Sequence, residues 1–251
     1  MKLDMAEKVV LVTGASRGIG AAIARAVARQ GAVVVVNYVR NKDKAEEVLD
    51  QIKSDGGRGI AVQADVRDRE AVDRMVEAAV GEFGGIDVLV NNANIAFPIK
   101  PFVEFSWEEL EAKLTGEMKA LFYPAQAVLR DMTRRKSGKL IFVSSGLSRH
   151  PGFGFSAHAA AKAAMDGIAK VMAMELGPRG ITVNVVGPGL VRTDATSGIP
   201  AEQRERVAGM TPLGRVGEPE DIAGTVVFLA SPLSDYVTGE YIPVNGGSFM
   251  L

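Results

Sequence analysis

Seven short runs of β-branched and apolar residues recur along this chain of 251 residues, separated by stretches with helical periodicity, and this alternation constrains the fold more than any other feature. The runs are Val9–Gly14, Ala32–Tyr38, Gly59–Val66, Asp87–Ala93, Lys139–Ser145, Ile181–Gly189 and Tyr241–Gly247. None alternates strictly between apolar and polar residues, so each is predicted to be covered on both faces, as the strands of a parallel sheet are. Between them, stretches such as "GIGAAIARAVARQG" and "DREAVDRMVEAAVGEFG" space their apolar residues as an amphipathic helix does. The pattern predicts an α/β fold, a doubly wound parallel sheet of about seven strands with helices on both faces. No linker, repeat or low-complexity tract interrupts it, so residues 1–251 read as one domain. Ligands of such sheets bind beyond the carboxyl ends of the strands, and nearly all the unusual residues fall there.

Composition narrows the function classes. A formal net charge of −1 and a pI near 6.2 supply no electrostatic footprint for nucleic acid or a membrane surface. The longest apolar runs, such as Ala32–Val36, fall far short of the ~20 residues that span a bilayer. The opening "MKLDMAEKVV" places acidic residues where a secretory signal needs its apolar segment. Cysteine is absent, which removes disulfides and thiolate chemistry and fits the cytoplasm. No metal-ligand set is read from the pattern.

The first strand runs into "TGASRGIG", Thr13–Gly20. Gly14, Gly18 and Gly20 permit a tight turn and a close approach of backbone to a pyrophosphate at a helix N-terminus, with Ser16, Arg17 and Ile19 completing the loop. No Lys-Ser or Lys-Thr pair follows, which disfavours a phosphate-loop nucleotidase. At the end of the second strand, where an NAD site usually places an acidic residue on the ribose 2′-hydroxyl, the chain has Asn37 and Tyr38 and then Arg40. Arg17 and Arg40 together suit a 2′-phosphate, so NADP(H) is the preferred cofactor and NAD(H) the alternative.

With these residues in view the chain resembles the single-domain short-chain dehydrogenases/reductases, and among them the 3-oxoacyl-acyl-carrier-protein reductases. The resemblance runs almost end to end, through "TGASRGIG", "ADV" (Ala64–Val66), "NNA" (Asn91–Ala93), "VSS" (Val143–Ser145), "PGLVRT" (Pro188–Thr193), "PLGRVGEPEDIA" (Pro212–Ala223) and "FLASPLSDYVTGEYIPVNGG" (Phe228–Gly247). It implies a Rossmann-like fold and a homotetramer. It implies that Asp65 and Val66 meet the adenine, that Asn91 and Ala93 line the cofactor cleft, and that Pro188, Gly189, Val191 and Thr193 hold the nicotinamide and its phosphates.

The family's catalytic set is a serine, a tyrosine and a lysine assisted by a helical asparagine. Here the serine falls on Ser145 and the lysine on Lys162, which is also the family's ribose ligand. The tyrosine position is His158, one helical turn before Lys162. The asparagine position falls on Glu117, and the glycine that usually follows "NNA" is Asn94, whose side chain is expected to crowd the cofactor. Three departures around one cleft favour drift in a non-catalytic descendant, or coordinated re-purposing, over three accidents. Imidazole titrates near ~6.5 and a neighbouring ammonium disfavours its charged form. A protonated His158 beside Lys⁺ and Glu⁻ would carry the same summed charge as neutral tyrosine, Lys⁺ and asparagine. The sequence therefore predicts an imidazolium at His158, supported by Glu117, that donates to a ketone oxygen beside Ser145 and a hydride from NADPH; the alternative is that Glu117 simply neutralises Lys162 in an idle cleft.

Three functions follow as expectations. The first is an NADPH-dependent oxidoreductase that reduces a 3-oxoacyl thioester or related ketone, small or carrier-linked. The second is an NADP(H)-binding protein without turnover, a sensor or partner subunit. The third is hydride transfer to an activated alkene. His150, Phe153 and Phe155 lie on the loop expected to flank the substrate, and Asp194–Met210 reads as a mobile lid. Apolar residues on more than one face of Trp107–Met132 and of the Lys162 helix suggest burial against another subunit. Pro124 is expected to kink the first of these helices.

Overall fold

The structure, a computed structural model, describes residues 5–250. Seven strands form a single sheet: β1 (Val9–Val12), β2 (Val33–Tyr38), β3 (Arg58–Gln63), β4 (Val88–Asn91), β5 (Gly138–Val143), β6 (Ile181–Pro188) and β7 (Tyr241–Val244). Their order is β3-β2-β1-β4-β5-β6-β7 and every pairing is parallel. The helices are α1 (Gly18–Arg29), α2 (Lys42–Ser54), α3 (Arg69–Phe83), α4 (Trp107–Arg135), α5 (Ser156–Leu176), α6 (Ala201–Met210) and α7 (Pro219–Ala230). This is the doubly wound α/β sheet that the apolar runs predict. Most runs overshoot their strand at the carboxyl end, because Thr13–Gly14, Ala64–Val66, Asn92–Ala93 and Ser144–Ser145 leave the ladder to build loops.

Alternation within each strand splits the apolar residues between two cores. Val10, Val12, Val34, Val36, Val88 and Val90 pack with α1, α2 and α7. Leu11, Val33, Val35, Leu89, Leu140 and Phe142 pack with α3, α4 and α5. With both faces covered, the strand order reverses between β1 and β4, and that switch point fixes where a ligand can enter.

Helix α4 has the sequence most able to break it, yet it continues through Pro124 for 29 residues. Proline lacks the N–H that the Ala120 carbonyl would accept. The Asn91 side chain supplies the missing donor: its Nδ2 donates to the Ala120 carbonyl at 3.1 Å and to the Leu121 carbonyl at 3.2 Å. Asn91 is itself buried. It therefore fastens α4 to the end of β4, a structural task added to the cleft-lining role expected of it. The Asp194–Met210 segment forms a short 3-10 turn and α6, none of whose residues is buried.

Candidate active site

The loops after β1, β4 and β6 converge on one cleft. Gly14 and Gly18 have positive φ, +62° and +56°. A Cβ on Gly14 would come within 3.0 Å of the Ala93 Cα, and one on Gly20 within 2.5 Å of both the Asn92 side chain and the Gly14 carbonyl. Gly18 faces the Thr193 side chain, and Gly189 sits against Asn245. The Thr13 hydroxyl accepts from the Asn92 and Ala93 amides at 2.9 and 3.0 Å, and Asn92 Nδ2 donates back to the Thr13 carbonyl at 2.8 Å. Arg17 caps α1 with no side-chain hydrogen bond, and no acidic residue occupies the first turn, so the first amides of α1 have no side-chain acceptor within that turn. A bare backbone cradle at a helix start fits the pyrophosphate of a dinucleotide.

Not every expected cofactor residue faces the cleft. Asn37 is fully buried: its Oδ1 accepts from the Gly14 amide at 3.1 Å and its Nδ2 donates to the Ala64 carbonyl at 3.0 Å. It shapes the glycine loop from beneath, and Tyr38 beside it is buried too. Arg17 and Lys44 both approach Asp194, at 3.8 and 3.5 Å, while Asp65 pairs with Arg67 at 2.7 Å. The Arg67 hydrogen bond holds the Asp65 carboxyl below its ordinary value, and Arg40 adds to the same effect. The basic groups around this end of the cleft are thus Arg17, Arg40 and Lys44. Lys44 was not singled out in the sequence, where it reads as one of several charges on an exposed helix.

Beyond β5, the Ser145 hydroxyl accepts from the Leu147 amide at 3.2 Å, and its carbonyl accepts from the Tyr241 hydroxyl at 3.0 Å. On α5, Asp166 accepts from the hydroxyls of Ser144 and Ser148, each at 2.6 Å, which brackets Ser145 from both sides. The Lys162 ammonium donates to the Val143 carbonyl at 2.9 Å and pairs with Glu117 Oε1 at 2.7 Å. The other oxygen of Glu117 is held by Lys113 at 2.6 Å. The Lys113 ammonium also donates to Asn94 Oδ1 at 2.9 Å and to the Ile95 carbonyl at 2.7 Å. So the Asn94 side chain turns toward Lys113 rather than standing free to crowd the cofactor. The His158 ring is buried and stacks on Phe97, centroids 4.5 Å apart and planes 18° apart, and its Nδ1 has no partner.

A sequence model described as enoyl-(acyl carrier protein) reductase matches residues 14–248. A 3-oxoacyl-[acyl-carrier-protein] reductase FabG of Staphylococcus aureus strain Mu50 is 41% identical over 245 residues, covering 97% of this chain and 98% of its own. The protein of that name from Vibrio cholerae serotype O1 is 40% identical over 252 residues, covering 99% and 100%. A 3-oxoacyl-[acyl-carrier-protein] reductase of Synechocystis is 41% identical over 246 residues, covering 97% of each. The chain belongs to the short-chain dehydrogenase/reductase family. It is an NAD(P)(H)-dependent oxidoreductase of that family's type, and the glycine cradle described above fits the nicotinamide dinucleotide.

Against the family's serine–tyrosine–lysine pattern, the electrostatics of this cleft revise one expectation. Burial, then Lys162 and Lys113, push His158 down to about 3, and Glu117 opposes them only weakly. The imidazole is uncharged at neutral pH. Burial would raise the Glu117 carboxyl, but Lys162 and then Lys113 outweigh it and bring it down to about 2. Burial lowers Lys113 to about 8 against the pull of Glu117. Glu117 therefore does not support an imidazolium; its charge is spent on two lysines. The sequence sets Glu117 against one lysine, Lys162, and the structure adds a second, Lys113. The available signal was the i,i+4 spacing of Lys113 and Glu117 on one helix face.

Proposed function

We propose that this protein is an NADPH-dependent reductase of a 3-oxoacyl thioester or related ketone, small or carrier-linked, whose site consists of Ser145, His158, Lys162 and Glu117. NADPH, when bound, supplies the hydride. Gly14, Ser16, Arg17, Gly18, Ile19 and Gly20 would hold its pyrophosphate, with Asp65 and Val66 at the adenine and Asn91, Ala93, Pro188, Gly189, Val191 and Thr193 along the cleft. Arg17, Arg40 and Lys44 favour the 2′-phosphate form over NAD(H). Lys162, held by Glu117 and the Val143 carbonyl, would meet the nicotinamide ribose with its ammonium. The Ser145 hydroxyl, which accepts from the Leu147 amide, would donate to the substrate oxygen.

The observation that carries this reading is His158 itself, a buried ring in the tyrosine's register with one nitrogen left without a protein partner. An uncharged imidazole can polarise a carbonyl by donating its N–H, an electrophilic role known for neutral histidine. The alkoxide that a reduced carbonyl would leave is basic enough to draw that N–H proton, and the imidazolate so formed takes a proton back from water, releasing hydroxide to solvent. Proton donation no longer needs a charged ring, which answers the loss of the predicted imidazolium.

The low basicity of His158 favours one second reading, nucleotide binding without turnover. Consumption of NADPH with acetoacetyl thioesters, free and carrier-linked, separates the two. Reduction to the 3-hydroxy product supports the ketone reading. No consumption with any ketone, alongside measurable NADPH binding, supports the second. Reduction of only an α,β-unsaturated thioester overturns both in favour of alkene chemistry.

We also propose a homotetramer that operates in the cytoplasm. The face shared by α4 and α5 holds a groove of about 640 Å³ lined by Phe122, Leu129, Ile168, Val171 and Met172 among others, with Phe122, Ile168 and Val171 exposed. Among the described residues, no helix is long and apolar enough to cross a membrane.

A further inference from the structure

The proposed chemistry uses Lys162 and leaves a second buried lysine without a task. Lys113 is almost wholly buried, a rare state for lysine unless its charge is matched. Its ammonium reaches Glu117, the Asn94 side chain and the Ile95 carbonyl, and it lies 4.8 Å from the centre of the Phe97 ring. Three of these four contacts are to residues 94–97, and the last of those residues is the ring on which His158 stacks. The Ile95 amide completes the tie by donating to Glu117 Oε2 at 3.3 Å. Asn94 and Glu117, two of the three departures from the family pattern, are therefore both partners of Lys113. The third departure, His158, rests on the loop that Lys113 secures.

We propose that Lys113 is a positioning residue for the reductase site, fastening loop 94–97, and with it the ring beneath His158, to the carboxylate that holds Lys162. The catalytic consequence rests on the ketone-reductase reading; the placement of His158 does not. The charged groups facing His158 are Lys162 from α5 and Lys113 and Glu117 from α4, while the rings against it, Phe97 and Phe155, are uncharged.

The chain has two histidines, His150 and His158, so a histidine-labelled sample of the full-length protein gives two ring signals that a His150→Gln variant assigns. Lys113→Met keeps the length of the side chain and removes its charge. The expected result is a displaced His158 ring-proton signal, from a changed Phe97 ring current, and a titration midpoint higher than in the wild type. In turnover, kcat falls about 10- to 100-fold, the cost of roughly 1 Å of misplacement. KM for NADPH changes less than about threefold, because no cofactor contact is removed. A lysine that served only stability would lower the melting temperature and leave the ring signal and kcat in place, and that result overturns the proposal. Should Lys113→Met fail to fold, Lys113→Met with Glu117→Gln removes both charges of the pair, and Asn94→Ala loosens the same loop from an exposed position. The same displacement of the His158 signal is expected in each, and its absence in the variants that fold is equally fatal. A displaced signal in a protein that reduces no ketone would keep Lys113 in this role and overturn the reductase reading alone.

Discussion

Replacing Glu117 by glutamine removes the one carboxylate that stands between two buried ammonium groups, at 2.6 Å from Lys113 and 2.7 Å from Lys162. Lys162 keeps the Val143 carbonyl, but Lys113 loses the partner that held its proton. Breaking a buried pair by deleting one member typically costs about 3–5 kcal/mol. Part of this cost depends on pH, because Lys113 can shed its proton instead. In the wild type Lys113 is lowered to about 8, so a neutral lysine costs the variant about 1.4 kcal/mol for each pH unit below that value. The lysine's share of the loss is thus about 1.4 kcal/mol at pH 7 and close to nothing at pH 9, where the wild-type lysine has itself lost its proton. Below about 8 the folded wild type holds a proton that the folded variant lacks, so the penalty must shrink as pH rises through that value. At about 2–4 °C per kcal/mol for a chain of this size, Glu117→Gln should melt about 10 °C or more below the wild type at pH 7. The gap should narrow by about 3–6 °C at pH 9. Differential scanning calorimetry of both proteins at the two pH values measures it. A gap independent of pH, or one under about 2 °C at pH 7, would refute the buried two-lysine cluster.

Three other outcomes test other parts of the structure. Asn91→Leu strands the Ala120 carbonyl that Pro124 leaves free, and should cost about 1–3 kcal/mol by denaturant unfolding, whereas the same change made with Pro124→Ala should cost less. Arg17→Ala with Lys44→Ala should weaken NADPH binding about tenfold or more by titration calorimetry and leave NADH nearly unaffected; equal losses would place the 2′-phosphate elsewhere. Val171→Arg, on the exposed α4–α5 groove, should reduce the assembly to smaller species in light scattering, and an unchanged mass would move the interface to another face.

The sheet was legible because its signal is repeated. Seven β-branched runs alternate with helices, and all seven became strands in one parallel sheet; the expected cover on both faces fails at its edges, where no residue of β3 and only Tyr241 of β7 is buried. Ends were less legible: residues such as Thr13, Ala93 and Ser145 share the composition of the strands yet belong to the loops that make the site. The residues expected around the cleft come from the glycine pattern and the family resemblance, and neither carries their contacts. Asn37 stands where an NAD site usually has an acidic residue, and only the three-dimensional packing shows its amide joining the glycine loop to the Ala64 carbonyl. Lys113 looked like one more charge on the polar side of α4. Its burial depends on a loop about 20 residues away in sequence folding over it, a long-range fact that helical periodicity does not encode. The uncharged state of His158 has the same kind of origin: burial of its ring comes first, and Lys162 and Lys113 add to it, none of which helical spacing encodes.

The rate of ketone reduction against pH tests the role of His158 most directly. With saturating NADPH and acetoacetyl thioester, kcat of the wild type should stay level from pH 5 to pH 7, since a ring pushed down to about 3 does not titrate there. His158→Phe should lose about 100-fold or more, the usual share of a positioned proton donor. An inflection near ~6.5 in the wild type would mean that a charged ring does the work. Equal rates in the two proteins would mean that the ring does none.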